Sequence, residues 1–124
     1  MVAHVLIIED EPLVADIMTA TLSGAGHTSA HAVASYGAVL RVADSKSPFD
    51  VVLMDIMLQG ANGAVTALAL RGWGYAGPIV CITGGLMPID KRVMKKANFA
   101  EYIEKPLLPL ALVKLVEKYA PRTA

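Results

Sequence analysis

VVLMDIMLQG, residues 51–60, begins with four consecutive apolar residues and places Asp55 directly after them. Two other runs, VLII (5–8) and IVCI (79–82), have the same length and the same lack of polar alternation. Short, β-branched runs without alternation are typical of strands that are covered on both faces. We therefore predict strands at 5–8, 51–54 and 79–82, with HTSAHAVA (27–34) and EYI (101–103) as two further candidates.

Helical patterns separate these runs. Apolar residues recur at helical spacing between Leu13 and Leu22, where Pro12 suits the first helical position and Gly24 suits the end. The same kind of pattern predicts four more helices, at Tyr36–Ala43, Gly63–Leu70, Ile89–Ala97 and Leu110–Tyr119. A strand followed by a helix, five times over, is typical of the α/β class. We therefore predict a five-stranded parallel sheet with helices on both faces.

The composition limits the classes of function. The 124 residues are 55% hydrophobic and 18% charged, which suits one folded domain and argues against disorder. The 11 basic and 11 acidic side chains cancel, so no nucleic-acid partner is predicted. The apolar runs are too short for a membrane span, and the N-terminus lacks a signal-peptide pattern, which together predict a cytoplasmic location. The single cysteine, Cys81, lies in an apolar run and is expected to be a buried thiol.

Polar residues follow each apolar run. Glu9 and Asp10 come after the first run, Asp55 after the second, Thr83 after the third, and Lys105 shortly after EYI. The carboxyl ends of parallel strands share one edge of a sheet, and α/β proteins bind their ligands there. We therefore expect these side chains, which are distributed along most of the chain, to meet in one cleft.

Such a cluster of carboxylates favours a bound cation. Neighbouring negative charges raise each other's pKa values unless a cation compensates them. Oxygen ligands without His or Cys favour a hard ion, and Mg²⁺ takes one or two carboxylates together with water and phosphate oxygens. A carboxylate beside Mg²⁺ can be the nucleophile toward a phosphoryl group, while Lys105 supplies charge and Thr83 a hydroxyl to the phosphoryl oxygens.

Four segments carry a resemblance to a known family. They are LIIEDE (6–11), VVLMDIMLQGANG (51–63), CITGG (81–85) and EYIEKP (101–106). In identity and in spacing they resemble the receiver domains of bacterial response regulators, along essentially the whole chain. The resemblance implies a flavodoxin-like (βα)5 fold, with residues 1–124 forming one receiver domain without an output domain, as in single-domain response regulators.

The resemblance also implies roles for individual residues. Asp55 would be the phosphoacceptor, and Lys105 and Thr83 would contact its phosphoryl group. The implied ligands of Mg²⁺, or of Mn²⁺ in its place, are Glu9, Asp10, Asp55 and the backbone carbonyl of Met57. Thr83 and Tyr102 would form the conformational switch, and the Lys105–Pro106 peptide bond would be cis.

A two-component phosphorelay is the function that this resemblance implies. A sensor histidine kinase or a phosphotransfer protein would donate the phosphoryl group from a phosphohistidine, and the domain would later hydrolyse its own acyl phosphate. The domain would thus be no conventional enzyme, because it catalyses only its own phosphorylation and dephosphorylation. The phosphoryl group would draw Thr83 inward and let Tyr102 fill the vacated space, which is a two-state element with a charge trigger.

The output surface is predicted near the end of the chain. Leu107 to Tyr119 holds more apolar residues than one sheet-facing stripe requires. Excess apolar surface favours a downstream protein partner or a homodimer, and a helix that is buried deeper than average is the alternative. The face predicted to make the contact combines helix 88–97, strand 101–103 and helix 109–119.

Other interpretations remain open. Asp10 or Glu11 could cap the first helix, and Lys105 could be an ordinary surface lysine. A pseudo-receiver, which is a protein-interaction module without phosphorylation, would be expected to lack Asp55 or Lys105, and both are present. A haloacid-dehalogenase-like phosphatase would need an Asp in place of Met57, and a nucleotide or flavin binder would need a glycine-rich loop where the acidic EDEP stands.

Overall fold

Strands and helices alternate along the chain. The computed structural model describes residues 2–32, 35–44, 49–58, 61–84 and 91–121. The main sheet contains His4–Ile8 (β1), Thr28–Ala32 (β2), Val51–Asp55 (β3), Ile79–Thr83 (β6) and Glu101–Glu104 (β7). A separate two-residue hairpin contains Met57–Leu58 (β4) and Ala61–Asn62 (β5). The helices are Pro12–Gly24 (α1), Ser35–Asp44 (α2), Gly63–Gly72 (α3), Lys91–Ala97 (α4) and Pro109–Lys118 (α5).

The predicted parallel sheet is confirmed, with the strand order β2-β1-β3-β6-β7. With the hairpin set aside, this is the order 2-1-3-4-5 of the flavodoxin-like sheet. The order reverses between β1 and β3, which is where such sheets bind ligands. Asp55 and Thr83 belong to the strands rather than following them, because pairing continues to their positions, with Asp55 beside Ile82 and Thr83 beside Glu104.

Both faces of the sheet are covered, as the unbroken apolar runs predict. Along β1, Val5 and Ile7 pack toward α1 and α5, whereas Leu6 and Ile8 pack toward α2, α3 and α4. All four side chains are buried. The three central strands therefore form a buried layer between the helices.

The helix bounds agree closely with the predicted ones. α1 begins at Pro12 and ends at Gly24, and the Glu11 carboxylate makes no capping hydrogen bond, so Glu11 does not cap this helix through its side chain. The predicted helix 88–97 is seen as Lys91–Ala97, and residues 88–90 lie outside the described residues, as do residues 33 and 34 of the second predicted strand.

Arg71, near the end of α3, binds two other segments of backbone. Its guanidinium donates hydrogen bonds to the carbonyl oxygens of Tyr75, Ala97 and Asn98, each at 3.0 Å, and also to that of Gly77. Ala97 ends α4, and Asn98 has a positive φ of 54°. A cation at a helix C-terminus satisfies carbonyls that have no partner inside the helix. Arg71 therefore fixes the C-terminal end of α4 against the connection from α3 to β6.

The last helix buries a single stripe, which contains Leu112, Leu115 and Val116. The apolar excess predicted for this segment lies at its beginning, where Leu108 and Leu110 are exposed. The end of α5 is tied to β7, because Lys118 Nζ lies 2.9 Å and 3.0 Å from the two carboxylate oxygens of Glu101, and the Tyr119 hydroxyl also donates to Glu101. None of the helices in the described part of the chain is both long and apolar enough to span a bilayer.

Candidate functional site

The carboxyl ends of three strands of the main sheet bring the predicted residues to one edge. Glu9 directly follows β1, Asp55 ends β3, and Lys105 directly follows β7. β1 and β3 are paired up to Ile8 and Met54, so Glu9 and Asp55 are neighbours across the strands. This is the point where the strand order reverses, and it is the place where the open sheet leaves a crevice.

Lys105 joins the two carboxylates. Its Nζ lies 2.9 Å from Asp55 Oδ2 and 3.7 Å from Glu9 Oε1. The side chains of Asp55 and Glu9 are only 8% and 4% exposed, whereas that of Lys105 is 38% exposed. A buried carboxylate pair needs a compensating charge, and the ammonium group supplies one from the solvent side. Lys105 is therefore a member of the site and not an isolated surface lysine.

The charges of the site shift two pKa values. Burial and the nearby Asp55 carboxylate raise the pKa of Glu9, against the effect of a hydrogen bond from the Glu11 backbone N–H. Burial works to lower the pKa of Lys105, but the hydrogen bond and charge of Asp55, together with Glu9, raise it overall. Two acids share one ammonium in this crevice, so the site has an unbalanced negative charge that favours a further cation.

Two residues of β2 form hydrogen bonds with the backbone of Glu9. The Glu9 N–H donates to the Ala32 carbonyl at 3.1 Å, and His31 Nε2 lies 2.6 Å from the Glu9 carbonyl oxygen. A carbonyl can only accept, so His31 carries its proton on Nε2. Sequence reasoning missed His31, because a histidine in a short polar strand has no pattern that marks such a contact.

The start of α3 lies against the backbone of Asp55. A Cβ atom at Gly63 would be 2.6 Å from the Asp55 carbonyl oxygen and 2.7 Å from Ile56 Cα. The Gly63 N–H also donates to the Ile56 carbonyl at 3.0 Å. Only glycine allows this approach, so position 63 holds the backbone of the predicted phosphoacceptor firmly.

The other predicted site residues lie around this centre. Asp10 is half-buried in the connection from β1 to α1, and Met57 begins the hairpin two residues after Asp55. Thr83 ends β6, and its carbonyl accepts the Lys105 N–H at 2.7 Å. Tyr102 is exposed on β7, with its ring centroid 5.7 Å from that of Phe99. The Lys105–Pro106 peptide bond is cis, as the resemblance implied.

The donor set fits a hard divalent cation. Carboxylate oxygens from neighbouring strand ends, such as those of Glu9 and Asp55, are ligands that Mg²⁺ prefers. Among the residues that the structure describes, no three His, Cys, Asp or Glu side chains converge into a complete metal cage. Mg²⁺ does not require one, because it usually keeps several waters among its ligands.

Fold and site together define a class of protein. It is a doubly wound α/β domain with two buried carboxylates and a lysine at the point where the strand order reverses. The sequence also matches the profile described as the response regulator receiver domain, over residues 5–117. The chain therefore belongs to the response regulator receiver family.

Individual relatives agree with this assignment. The chain is similar to the two-component response regulator ORR41 of Oryza sativa subsp. japonica, with 32% identity over 118 residues that cover 94% of this chain and 93% of the relative. It is 34% identical to the transcriptional regulatory protein TorR of Escherichia coli O157:H7 over 84% of its own length, but it spans only 44% of TorR.

A solved structure supports the fold. The receiver domain of the sensor histidine kinase PA1611 from Pseudomonas aeruginosa PAO1, with a magnesium ion in its active-site cleft, superposes with a TM-score of 0.80. The match covers 96% of this chain and 98% of that one, at 21% identity. Receiver domains are the phosphoacceptor modules of two-component systems, and this chain is one of them.

Proposed function

We propose that this receiver accepts a phosphoryl group on Asp55 from a phosphohistidine of a sensor histidine kinase or a phosphotransfer protein. The contact between Lys105 Nζ and Asp55 Oδ2, at 2.9 Å, is the observation that carries the proposal. The contact puts a positive charge beside a buried carboxylate, at the edge of the sheet where the carboxyl ends of the strands meet. A charge in that position stabilises the oxygens of a phosphoryl group during transfer.

In the proposed reaction an oxygen of the Asp55 carboxylate attacks phosphorus. The O–P bond forms as the N–P bond breaks, and the histidine nitrogen keeps the electron pair and takes a proton from solvent. Lys105 donates to a phosphoryl oxygen, and the Thr83 hydroxyl donates to another. Attack of water on phosphorus later returns the carboxylate and releases inorganic phosphate, so the domain catalyses only its own phosphorylation and dephosphorylation.

Mg²⁺ is the proposed cofactor, with Mn²⁺ as a possible replacement of similar coordination. Its proposed ligands are the carboxylates of Glu9, Asp10 and Asp55 and the backbone carbonyl of Met57. A bound divalent cation would supply charge neutralisation for the incoming phosphoryl group. The all-oxygen donor set and the raised pKa of Glu9 support this, as does the magnesium ion in the Pseudomonas receiver domain.

The proposed output is a change at the face of α4, β7 and α5. Thr83 would move toward the phosphoryl group, and Tyr102, now exposed, would turn inward toward the space that Thr83 leaves. The face 88–97, 101–103 and 109–119 would then present a changed surface to a downstream partner or a second copy. That residues 1–124 form one receiver domain, and that the domain works in the cytoplasm, remain predictions from the sequence.

A simple experiment tests the chemistry. The protein is incubated with Mg²⁺ and phosphoramidate, and its intact mass is compared with that of Asp55→Asn and of Asp16→Asn, a matched change at an exposed aspartate on α1. We expect the wild type and Asp16→Asn to gain one phosphoryl group and Asp55→Asn to gain none. Equal masses before and after incubation in all three proteins would favour the alternative, a non-phosphorylated pseudo-receiver that acts as an interaction module.

A further inference from the structure

His31, on the edge strand β2, forms a short hydrogen bond with the backbone of Glu9. Its Nε2 lies 2.6 Å from the Glu9 carbonyl oxygen. β2 pairs with β1, with Ala32 beside Ile8, and the Glu9 N–H continues this pairing by donating to the Ala32 carbonyl at 3.1 Å. The chain then turns toward α1, and the Glu9 carbonyl is bound by a side chain. Nothing in the proposed phosphotransfer uses this histidine.

The carboxylate of Glu9 has weaker contacts than its backbone. Its Oε2 lies 3.3 Å from the Glu11 backbone nitrogen, and its Oε1 lies 3.7 Å from Lys105 Nζ. Both distances are longer than is usual for hydrogen bonds, whereas the 2.6 Å contact of His31 is short. The position of the Glu9 carboxylate therefore depends strongly on the backbone from which its side chain begins.

The same carbonyl belongs to the peptide unit that joins Glu9 to Asp10. Because a peptide unit is planar, a bond that fixes its oxygen also fixes the end from which Asp10 begins. Both residues are proposed ligands of the cation, and Glu9 is buried beside the like-charged Asp55. Repulsion between carboxylates favours a backbone that moves them apart, and the hydrogen bond from His31 opposes that movement.

We propose that His31 is a positioning residue for the divalent cation, because its hydrogen bond to the Glu9 carbonyl holds Glu9 and Asp10 in the arrangement that binds the ion. This inference rests on the proposed function and adds a residue that sets the affinity of the site. Removing a partner that orients a metal ligand typically lowers metal affinity about 10- to 100-fold. His31 acts on the backbone and not on a ligating oxygen, so the expected loss is at the lower end of this range.

Two substitutions separate the hydrogen bond from the bulk of the side chain. His31→Leu removes the donor, whereas His31→Gln keeps one, because the amide nitrogen of glutamine is as many bonds from Cα as Nε2 of histidine. His4→Leu is the matched control. His4 Nδ1 lies 2.8 Å from Thr28 Oγ1, so this histidine joins the same two strands at their opposite end. Circular dichroism and urea unfolding check the folding and stability of each variant.

Magnesium chloride is titrated into each full-length protein without a phosphodonor, and the backbone amide resonances are followed by NMR. We expect the Kd for Mg²⁺ to rise roughly tenfold in His31→Leu and to stay within about threefold of wild type in His31→Gln and in His4→Leu. A folded His31→Leu with the wild-type Kd would overturn the inference. Equal losses of affinity in His31→Leu and His31→Gln would do so too, because the donor would then not be the property that matters.

Labelling by phosphoramidate at increasing Mg²⁺ gives a second readout. Because His31 acts through affinity, the Mg²⁺ concentration that gives half the maximal rate should rise roughly tenfold in His31→Leu, while the maximal rate stays within about twofold of wild type. A lower maximal rate with an unchanged half-saturating concentration would refute this role. A wild type that binds Mg²⁺ without becoming labelled would contradict the proposed function, and the Kd values would still decide the role of His31.

A third measurement needs no variant. The nitrogen chemical shifts of the His31 ring show which nitrogen carries the proton, and in the metal-free protein this should be Nε2. The Nε2–H resonance should also shift when Mg²⁺ binds, since the same peptide unit carries both contacts. A proton on Nδ1 alone, or an Nε2–H resonance that saturating Mg²⁺ leaves unmoved, would contradict the inference.

Discussion

Replacing Arg71 with methionine should destabilise the domain and increase local unfolding at the C-terminal end of α4. Methionine keeps the length of the side chain and removes all of its hydrogen-bond donors. In the wild type those donors serve carbonyls of Tyr75, Gly77, Ala97 and Asn98. The substitution therefore disconnects the C-terminal end of α4 from the segment that follows α3, while leaving the apolar core intact.

The size of the effect follows from the burial of the acceptors. Tyr75 and Ala97 are buried, and a buried carbonyl that loses its donor costs about 1–3 kcal/mol. The carbonyls of Gly77 and Asn98 lie in more exposed residues, where water can replace the guanidinium. Burial also lowers the pKa of Arg71, so removing the cation recovers part of its desolvation cost. We expect a net loss of about 2 kcal/mol in the free energy of unfolding.

Urea and thermal unfolding measure this loss, and about 2 kcal/mol corresponds to a fall of roughly 8 °C in Tm for a chain of this length. Arg41→Met is the matched control, because Arg41 is an exposed arginine in the last turn of α2, and it should change stability by less than about 0.5 kcal/mol. Hydrogen exchange should also rise selectively at the end of α4, for example at the Asn98 N–H that donates to Met94. Equal stabilities of the two variants, or unchanged exchange at Asn98, would refute the reasoning.

Three more predictions concern single side chains. The hydrogen bond from Tyr119 lowers the pKa of Glu101. The stabilisation that ionised Glu101 gives is therefore present above the ordinary pKa of 4.5 and is lost as the pH falls through the lowered pKa. The Tm of Glu101→Gln should depend less on acid pH than that of the wild type, and parallel curves of Tm against pH would contradict this. Burial raises the pKa of Cys81 to about 11, so its thiol should react with Ellman's reagent at about pH 8 only after unfolding, and fast reaction of the folded protein would show that the thiol is accessible. Thr83→Ala should still accept a phosphoryl group on Asp55 but lose most of the change in amide NMR shifts around α4, and a full wild-type shift would rule out the coupling role of Thr83.

The central strands were predictable because burial on both faces leaves a strong signal. VLII, VVLM and IVCI each became a strand of the sheet, and the structure lengthens each by one polar or aromatic residue that still pairs with its neighbour. The hairpin Met57–Leu58 with Ala61–Asn62 was missed, since two-residue strands are too short to show any periodicity. Charged residues at strand ends were also informative, because parallel strands all end at one edge.

Two contacts between distant segments were not predictable. His31 reaches the Glu9 carbonyl across a strand pair, and Arg71 reaches α4 from α3, in both cases by geometry between segments distant in sequence. Neither residue type has a local pattern that indicates its partner. The excess of apolar residues after Lys105 was recognised from the sequence, but only the structure shows that its exposed part lies at the start of α5, beside the crevice.

Gly63 has a consequence for how the domain can respond. With no side chain at this position, the first turn of α3 lies directly against the peptide unit that carries Asp55. A group added to the Asp55 carboxylate would therefore find little room on the side of α3. The half-exposed Lys105, 2.9 Å from Asp55 Oδ2, is the neighbour with room to adjust, so the side of the crevice that can respond is set where a helix meets a strand.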